Sequence, residues 1–158
     1  MGMQRQYNNS LHLSFPDGFH VMDYDERKNL KMIEEGPGEC LTNPEKHIII
    51  SIGWKELSFL PSLLVSARDA SDNAQKAIQS AMQPYGFQFR ETFTENIGGE
   101  NASGISYEYE AQNIPMHGET YVIKRKKVLY YLHLYFRRDS KEESTKIWKE
   151  ILSSAKWE

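Results

Sequence analysis

The segment Val128–Arg137 constrains the fold most, because its sequence VLYYLHLYFR is apolar or aromatic at almost every position. A strand with one face in water alternates apolar and polar residues, whereas a strand covered on both faces reads as a continuous apolar run. The run is also far too short to cross a bilayer as a helix. It therefore predicts the central strand of a sheet that has other elements packed on each face.

Three more segments with the composition of strands precede this one. They are Phe87–Ile97, Gly104–Gln112 and Glu119–Lys124. The predicted turns are Gly98-Gly99, the stretch 113–118 and the basic run Arg125-Lys126-Lys127. Because consecutive strands joined by short turns pair in antiparallel fashion, this half of the chain predicts a four-stranded meander.

The first half of the chain contains two predicted hairpins. Leu11, Leu13 and Phe15 alternate with polar residues before the turn Pro16-Asp17-Gly18, so we expect this strand to pair with residues 19–22. The second hairpin joins residues 39–42 to the β-branched run 47–54 through a turn at 43–45. The stretch 23–38 is compatible with a short helix or a strand, and residues 1–6 are expected to be disordered.

Two helices complete the predicted architecture. Asp69–Gln83 carries alanines at helical spacing and is followed by Pro84 and Gly86, which end a helix. A C-terminal helix follows Ser140-x-x-Glu143, which has the spacing of a capping box. Its predicted buried stripe consists of Ile147, Trp148, Ile151 and Leu152. We therefore predict an α+β fold, with an antiparallel sheet of about six or seven strands and an Ala-rich helix and a C-terminal helix packed on it.

Three stretches of sequence accompany this order of elements. They are FPDGF at 15–19, GISYEY at 104–109, and LYYL at 129–132 followed by a helix that closes with ILSS at 151–154 and Trp157. The whole pattern resembles the PsbP-like fold superfamily, which includes photosystem II extrinsic PsbP proteins, fungal Ran-binding Mog import factors and many bacterial proteins of unassigned role. The resemblance implies a single domain over residues 1–158 and a binding or adaptor protein rather than an enzyme. No local motif here matches either the manganese-cluster context of plant PsbP or a Ran partner.

Composition narrows the classes of function. Nineteen Lys and Arg against twenty-two Asp and Glu leave a net charge of −3, which disfavours a nucleic-acid partner. Cys40 is the only cysteine and the five histidines lack zinc-site spacing, so no disulfide, metal or cofactor is predicted. The first ten residues lack a signal-peptide pattern. The chain as it stands is expected in the cytoplasm, or secreted or periplasmic if a leader has been removed.

A row of side chains on the predicted central strand is the first candidate ligand site. Tyr131, His133 and Tyr135 share one face, and Arg137 continues the line. Such a row suits a ligand held by His133, with Arg137 binding an anionic group. The alternative, which we favour, is that the aromatic side chains pack against a helix.

Glu108 and Glu110 form a second candidate site, because residues two apart on a strand share a face. A carboxylate pair at this spacing suits glycoside hydrolysis. The alternative, which we favour, is that Ser106, Glu108 and Glu110 form the solvated face of the strand, opposite the apolar face.

The apolar segment 57–65 is the third candidate, and Pro61 within it predicts a loop or a broken helix. If Phe59, Leu60, Leu63 and Leu64 are exposed, they form a patch for a partner. The interpretation that we favour is that these side chains form a lid over one sheet face. The neighbouring basic run 124–127 suits an acidic partner or anionic lipid, although a solvated hairpin turn is the simpler explanation.

Two hypotheses of different classes follow from these features. The first is a non-catalytic module that binds a protein partner or a small ligand. The alternative is a small hydrolase that uses Glu108, Glu110 and His133 in a cleft.

Overall fold

The structure is a computed structural model that describes residues 2–30 and 36–158. The strands are β1 (Met3–Tyr7), β2 (Leu11–Phe15), β3 (His20–Val21), β4 (Gly38–Asn43), β5 (Ile48–Glu56), β6 (Gln88–Ile97), β7 (Glu100–Ala111), β8 (Ile114–Arg125), β9 (Val128–Arg137) and β10 (Lys156–Trp157). The α-helices are α1 (Tyr24–Asn29), α2 (Phe59–Leu64), α3 (Ala67–Met82) and α4 (Lys141–Ser153). Short 3₁₀ helices cover Gln83–Tyr85 and Arg138–Ser140.

Seven strands form one antiparallel sheet in the order β3-β4-β5-β9-β8-β7-β6. Strand β9 therefore lies in the middle, between β5 and β8, which confirms the prediction from its two apolar faces. The meander β6 to β9 and the hairpin β4–β5 were also predicted. The fold class, α+β with an antiparallel sheet, is confirmed.

The first strands of the chain depart from the prediction. Strand β2 pairs with β1 and with β10 in a separate three-stranded sheet, and β3 pairs with β4. The predicted pairing of 11–15 with 19–22 is therefore wrong. The expectation of disorder is also wrong for residues 3–6, because Met3–Tyr7 form an edge strand. Asn8 and Asn9 adopt positive φ angles of 53° in the connecting turn, a conformation that asparagine tolerates well.

The stretch 23–38, which sequence patterns left open, begins with a helix. Asp23 and Glu26 form a capping box at the start of α1, in which each side chain accepts a hydrogen bond from the other residue's backbone N–H. The part of this stretch at 31–35 lies outside the described residues.

Each face of the large sheet has its own helix. The face that carries Ile50, Leu132 and Leu134 packs against α4 and the small sheet, and is called the α4 face. The opposite face carries Ile105, Tyr107 and Val122, packs against α3 and the segment that precedes it, and is called the α3 face. Both predicted helices are present, and Trp148, Ile151 and Leu152 of the predicted stripe are buried.

The predicted capping box at α4 does not form. Ser140 occupies the N-cap position without a side-chain cap, and its hydroxyl donates to the backbone oxygen of Arg137 at 3.4 Å. The short 3₁₀ turn that carries the chain from β9 into the helix places Ser140 in a conformation outside the extended region that N-cap residues usually adopt.

Strand β8 begins earlier than predicted. The stretch 113–118 was predicted to be the turn before this strand, yet Pro115 and Gly118 both lie in the strand. The turn is confined to Gln112 and Asn113, which adopt positive φ angles of 52° and 65°. This extension of β8 brings His117 into the sheet.

Candidate functional site

Helix α2 exposes a set of apolar side chains. The exposed fractions are 66% for Phe59, 65% for Leu60, 65% for Leu63 and 76% for Leu64. The expectation that these residues form a lid over the core is therefore wrong. With about 100° of rotation per residue, the four positions fall within an arc of about 140° on one side of the helix. We call these four side chains the contact surface.

The contact surface is exposed because other atoms attach α2 to the body of the protein. Leu57, which is 8% exposed, and the partly buried Val65 pack into the core on either side of the helix. The backbone N–H of Leu57 donates to the oxygen of Lys127 at 2.6 Å. The ammonium group of Lys124 donates to the backbone oxygen of Ser62. These contacts hold the helix without using its apolar side chains.

The basic hairpin turn between β8 and β9 lies beside α2. Arg125 is engaged elsewhere, since it donates to the hydroxyl of Ser10 and its guanidinium lies 5.3 Å from the ring centroid of Trp157. Lys126 and Lys127 are exposed, and neither forms an ion pair with any residue in the described part of the chain. The contact surface therefore has positive charge next to it that no described carboxylate pairs with.

The predicted row on β9 is present on the α3 face. The imidazole ring of His133 lies nearly parallel to the rings of Tyr131 and Tyr135, with centroid distances of 6.4 Å. The Nδ1 atom of His133 lies 2.8 Å from the hydroxyl of Thr120, and burial lowers the pKa of His133 to about 4. Both tyrosines pack against the clusters under α3. These contacts favour packing, and a ligand role for this row with Arg137 stays a prediction.

Glu108 lies on the α4 face in a polar cleft, where it contacts two arginines. The Nε atom of Arg90 donates to Glu108 at 2.5 Å, and the Nε atom of Arg138 lies 3.3 Å from its other oxygen. Burial alone would raise the pKa of Glu108, but the hydrogen bond from Arg90 and the charge of Arg138 lower it below its ordinary value. Ser106 is buried and Glu108 is half-buried, so the solvated face that we expected is wrong except at Glu110.

A hydrogen-bonded network on β8 lines the same cleft. The Nε2 atom of His117 lies 2.8 Å from Glu119, and the hydroxyl of Tyr121 donates to the other carboxylate oxygen. Burial alone would raise the pKa of Glu119, but these hydrogen bonds lower it. The cleft measures about 480 Å³, and Arg90 and Lys141 are among its lining residues. Sequence reasoning missed His117 because it had placed residues 113–118 in a loop.

The hydrolase alternative requires residues that lie on opposite faces of the sheet. Glu108 pairs with His117 and faces α4. His133 faces α3, beside Thr120. Glu110 is exposed near the end of β7. No single cleft therefore contains both glutamates and His133.

Within 2–30 and 36–158, no group of three or more His, Cys, Asp or Glu side chains is placed to hold a metal ion. In the same part of the chain, no helix has the length and apolar character needed to cross a membrane.

Comparisons with known proteins identify solved structures of similar fold. No protein-family model matches the sequence, and no curated protein matches it. Among solved structures, cyanobacterial PsbP from Synechocystis superposes with a TM-score of 0.74 at 15% identity, covering 99% of this chain and 92% of that one. LpqN, involved in cell envelope biogenesis of Mycobacterium tuberculosis, gives 0.62 at 12% identity, covering 99% and 90%. The T6SS immunity protein TplEi of Pseudomonas aeruginosa, complexed with a peptide, gives 0.51 at 10% identity, covering 98% and 73%. Identities this low establish a shared fold only.

Proposed function

We propose that this chain is a non-catalytic binding protein, and that a protein partner docks on the contact surface of α2. The observation that carries this proposal is the exposure of Phe59, Leu60, Leu63 and Leu64 at 65–76% on one side of one helix. Contiguous apolar patches of this kind mark interaction sites in soluble proteins. Removing such side chains from water on binding is the main favourable contribution to association.

The carboxylates of the cleft do not fit the general acid that glycoside hydrolysis requires. A carboxylic acid that donates a proton in catalysis has a raised pKa. In this protein the pKa values of Glu108 and Glu119 are both lowered, by hydrogen bonds and positive charges that hold them as carboxylates. The guanidinium groups of Arg90 and Arg138 both contact the carboxylate of Glu108. Such groups stabilise the sheet in their ionised form.

Proteins that share the fold offer an analogy for this proposal. The immunity protein TplEi has been captured with a bound peptide, so at least one chain of this architecture holds a polypeptide ligand. Fold alone does not determine function. The analogy therefore adds to the argument from the contact surface and does not replace it.

The direct test places a photo-crosslinking amino acid on α2. We expect p-benzoylphenylalanine at Phe59 to yield a defined crosslinked protein in extracts of the cells that make this chain. The matched control carries the same group at Tyr85, an exposed aromatic residue outside α2, and gives no such product. A charged substitution in the middle of the surface, Leu63→Asp, lowers the yield from position 59 by at least about tenfold, because it places a charge in a desolvated contact.

Two results would contradict the proposal. One is the same set of products from positions 59 and 85, which indicates non-specific contact. The other is no product from position 59 in a protein whose circular dichroism shows that it is folded.

A further inference from the structure

The chemistry of the surface around α2 points to the class of partner. Lys126 and Lys127 lie at the tip of the β8–β9 turn, whose backbone contacts the start of the α2 segment through the hydrogen bond from Leu57 to Lys127. Lys55, exposed near the end of β5, pairs across the sheet with Leu129 close to the same turn. Glu56 adds one negative charge there. The rim of the contact surface therefore carries net positive charge.

The three lysines of this rim are exposed, so a partner can reach them. None of Lys55, Lys126 and Lys127 forms an ion pair within the described residues, whereas the nearby Arg125 lies 3.6 Å from a carboxylate oxygen of Glu100. Lysine ammonium groups on flexible stems reach several ångströms beyond the backbone. A partner that places carboxylates beside its apolar docking site gains attraction at the rim, where the charges are not fully desolvated.

Two other occupants fit the surface less well. A second copy of this chain would bring an equally basic rim to the interface, and like charges that meet across an interface are unfavourable. A bilayer would receive only four apolar side chains from a six-residue helix, which is little apolar area for stable attachment to a membrane surface.

We infer that the partner is a protein with an apolar groove bordered by Asp or Glu side chains, into which Phe59, Leu60, Leu63 and Leu64 insert while Lys126 and Lys127 contact the acidic border. This inference rests on the proposed function, since it specifies the partner that the contact surface takes. Helix-in-groove recognition supplies the affinity, and the charged border supplies specificity and speeds association.

The experiment changes the charge of the turn and leaves α2 intact. Photo-crosslinking from position 59 is measured in the double variant Lys126→Glu/Lys127→Glu and in the matched control Lys126→Arg/Lys127→Arg. We expect the first to reduce the yield by about tenfold or more, because carboxylates then face carboxylates, and the second to preserve it. Raising NaCl from about 50 mM to about 500 mM is expected to lower the wild-type yield, because salt screens exposed charges. Mass spectrometry of the crosslinked peptide is expected to identify Asp or Glu near the attachment site.

The outcomes separate this inference from the function on which it rests. Wild-type yield in the Glu variant overturns the acidic border and leaves docking on α2 in place. Absence of any product from position 59 in the otherwise wild-type protein, with folding intact, overturns both. Binding of the wild type to vesicles of phosphatidylcholine with about one third phosphatidylglycerol, abolished by Leu63→Asp, identifies a membrane surface instead and overturns the inference. A dimer in sedimentation analysis that Leu63→Asp dissociates identifies a second copy and overturns it as well.

Discussion

The ring of Tyr107 lies over Gly118, its direct partner on the neighbouring strand, so closely that a Cβ atom on Gly118 would overlap the ring. Phe93 covers Gly104 in the same way on the opposite face of the sheet. In both places an aromatic side chain fills the space that the glycine leaves on the adjacent strand. Gly118 is therefore part of the packing under α3, although in the sequence it resembles a turn residue.

Substitution of Gly118 by alanine is expected to destabilise the protein by about 1–3 kcal/mol, because the added methyl group forces the buried ring of Tyr107 to move. The matched control is Gly53→Ala, where the nearest atom to a new Cβ is a backbone oxygen at 3.5 Å, an ordinary contact. Urea unfolding followed by circular dichroism measures both. Equal stability of the two variants would show that the ring has room to move.

The histidine on β9 is expected to produce a pH dependence of stability. Burial holds the pKa of His133 at about 4, below its ordinary value of 6.5. Between these two values the unfolded chain takes up a proton that the folded chain does not. The free energy of unfolding therefore decreases as the pH falls from 6.5 to 4, by up to about 1.4 kcal/mol per pH unit from this residue.

The non-titrating variant His133→Gln isolates this contribution. Its free energy of unfolding is expected to decrease less steeply than that of the wild type over the same pH interval, as measured by urea unfolding at several pH values. NMR titration of the imidazole gives the pKa directly. An imidazole that titrates near 6.5 would disprove the expectation.

The half-buried carboxylate of Glu119 is expected to contribute stability only while it is ionised. Glu119→Gln removes the charge that accepts hydrogen bonds from His117 and Tyr121, at an expected cost of about 1–3 kcal/mol near neutral pH. Because the pKa of Glu119 in the folded protein lies below 4.5, the wild type loses this advantage as the pH falls through that lower value. The difference between the two proteins therefore narrows in acid.

Glu91→Gln is the control for this prediction, because Glu91 lines the same cleft but is exposed. It is expected to change the free energy of unfolding by less than about 0.5 kcal/mol. A pH-independent difference between Glu119→Gln and the wild type would argue against the ionised form as the source of the stability.

Apolar side chains on and beside α2 are expected to differ sharply in their effect on folding. Phe59→Ala should change stability by less than about 0.5 kcal/mol, because the ring is 66% exposed. Leu57→Ala should cost about 2–5 kcal/mol, because that side chain is buried in the core. Thermal and urea unfolding measure both changes. A large cost at Phe59 would mean that the contact surface serves folding rather than binding.

Much of the sheet was predictable because strand periodicity is a local property. The alternation in β2 and the two apolar faces of β9 can be recognised without knowledge of the rest of the chain. Which strand pairs with which cannot be predicted in this local way. Leu11 lies opposite Trp157, and nothing within a window of ten or fifteen residues indicates a contact across the whole length of the chain.

The candidate sites also depend on contacts between residues that are far apart in the sequence. The contact surface was identified as an apolar segment, but whether Phe59 and Leu64 face solvent depends on which atoms attach α2 to the sheet. The network around His117 was missed because Gly118 and Pro115 indicate a turn when they are considered alone. The ring of Tyr107, which makes Gly118 suitable for a strand, comes from another strand.

The central position of β9 also has a consequence for how the chain folds. Strands β6 to β9 pair with their neighbours in sequence, whereas Ile52 on β5 pairs with Leu132 on β9, 80 positions away. Closing so long a loop costs chain entropy before any contact compensates for it. Chain entropy therefore favours formation of the meander first and docking of the β4–β5 hairpin later. Until that hairpin arrives, β9 is an apolar strand with an open edge, which makes the half-folded chain the species most prone to aggregate.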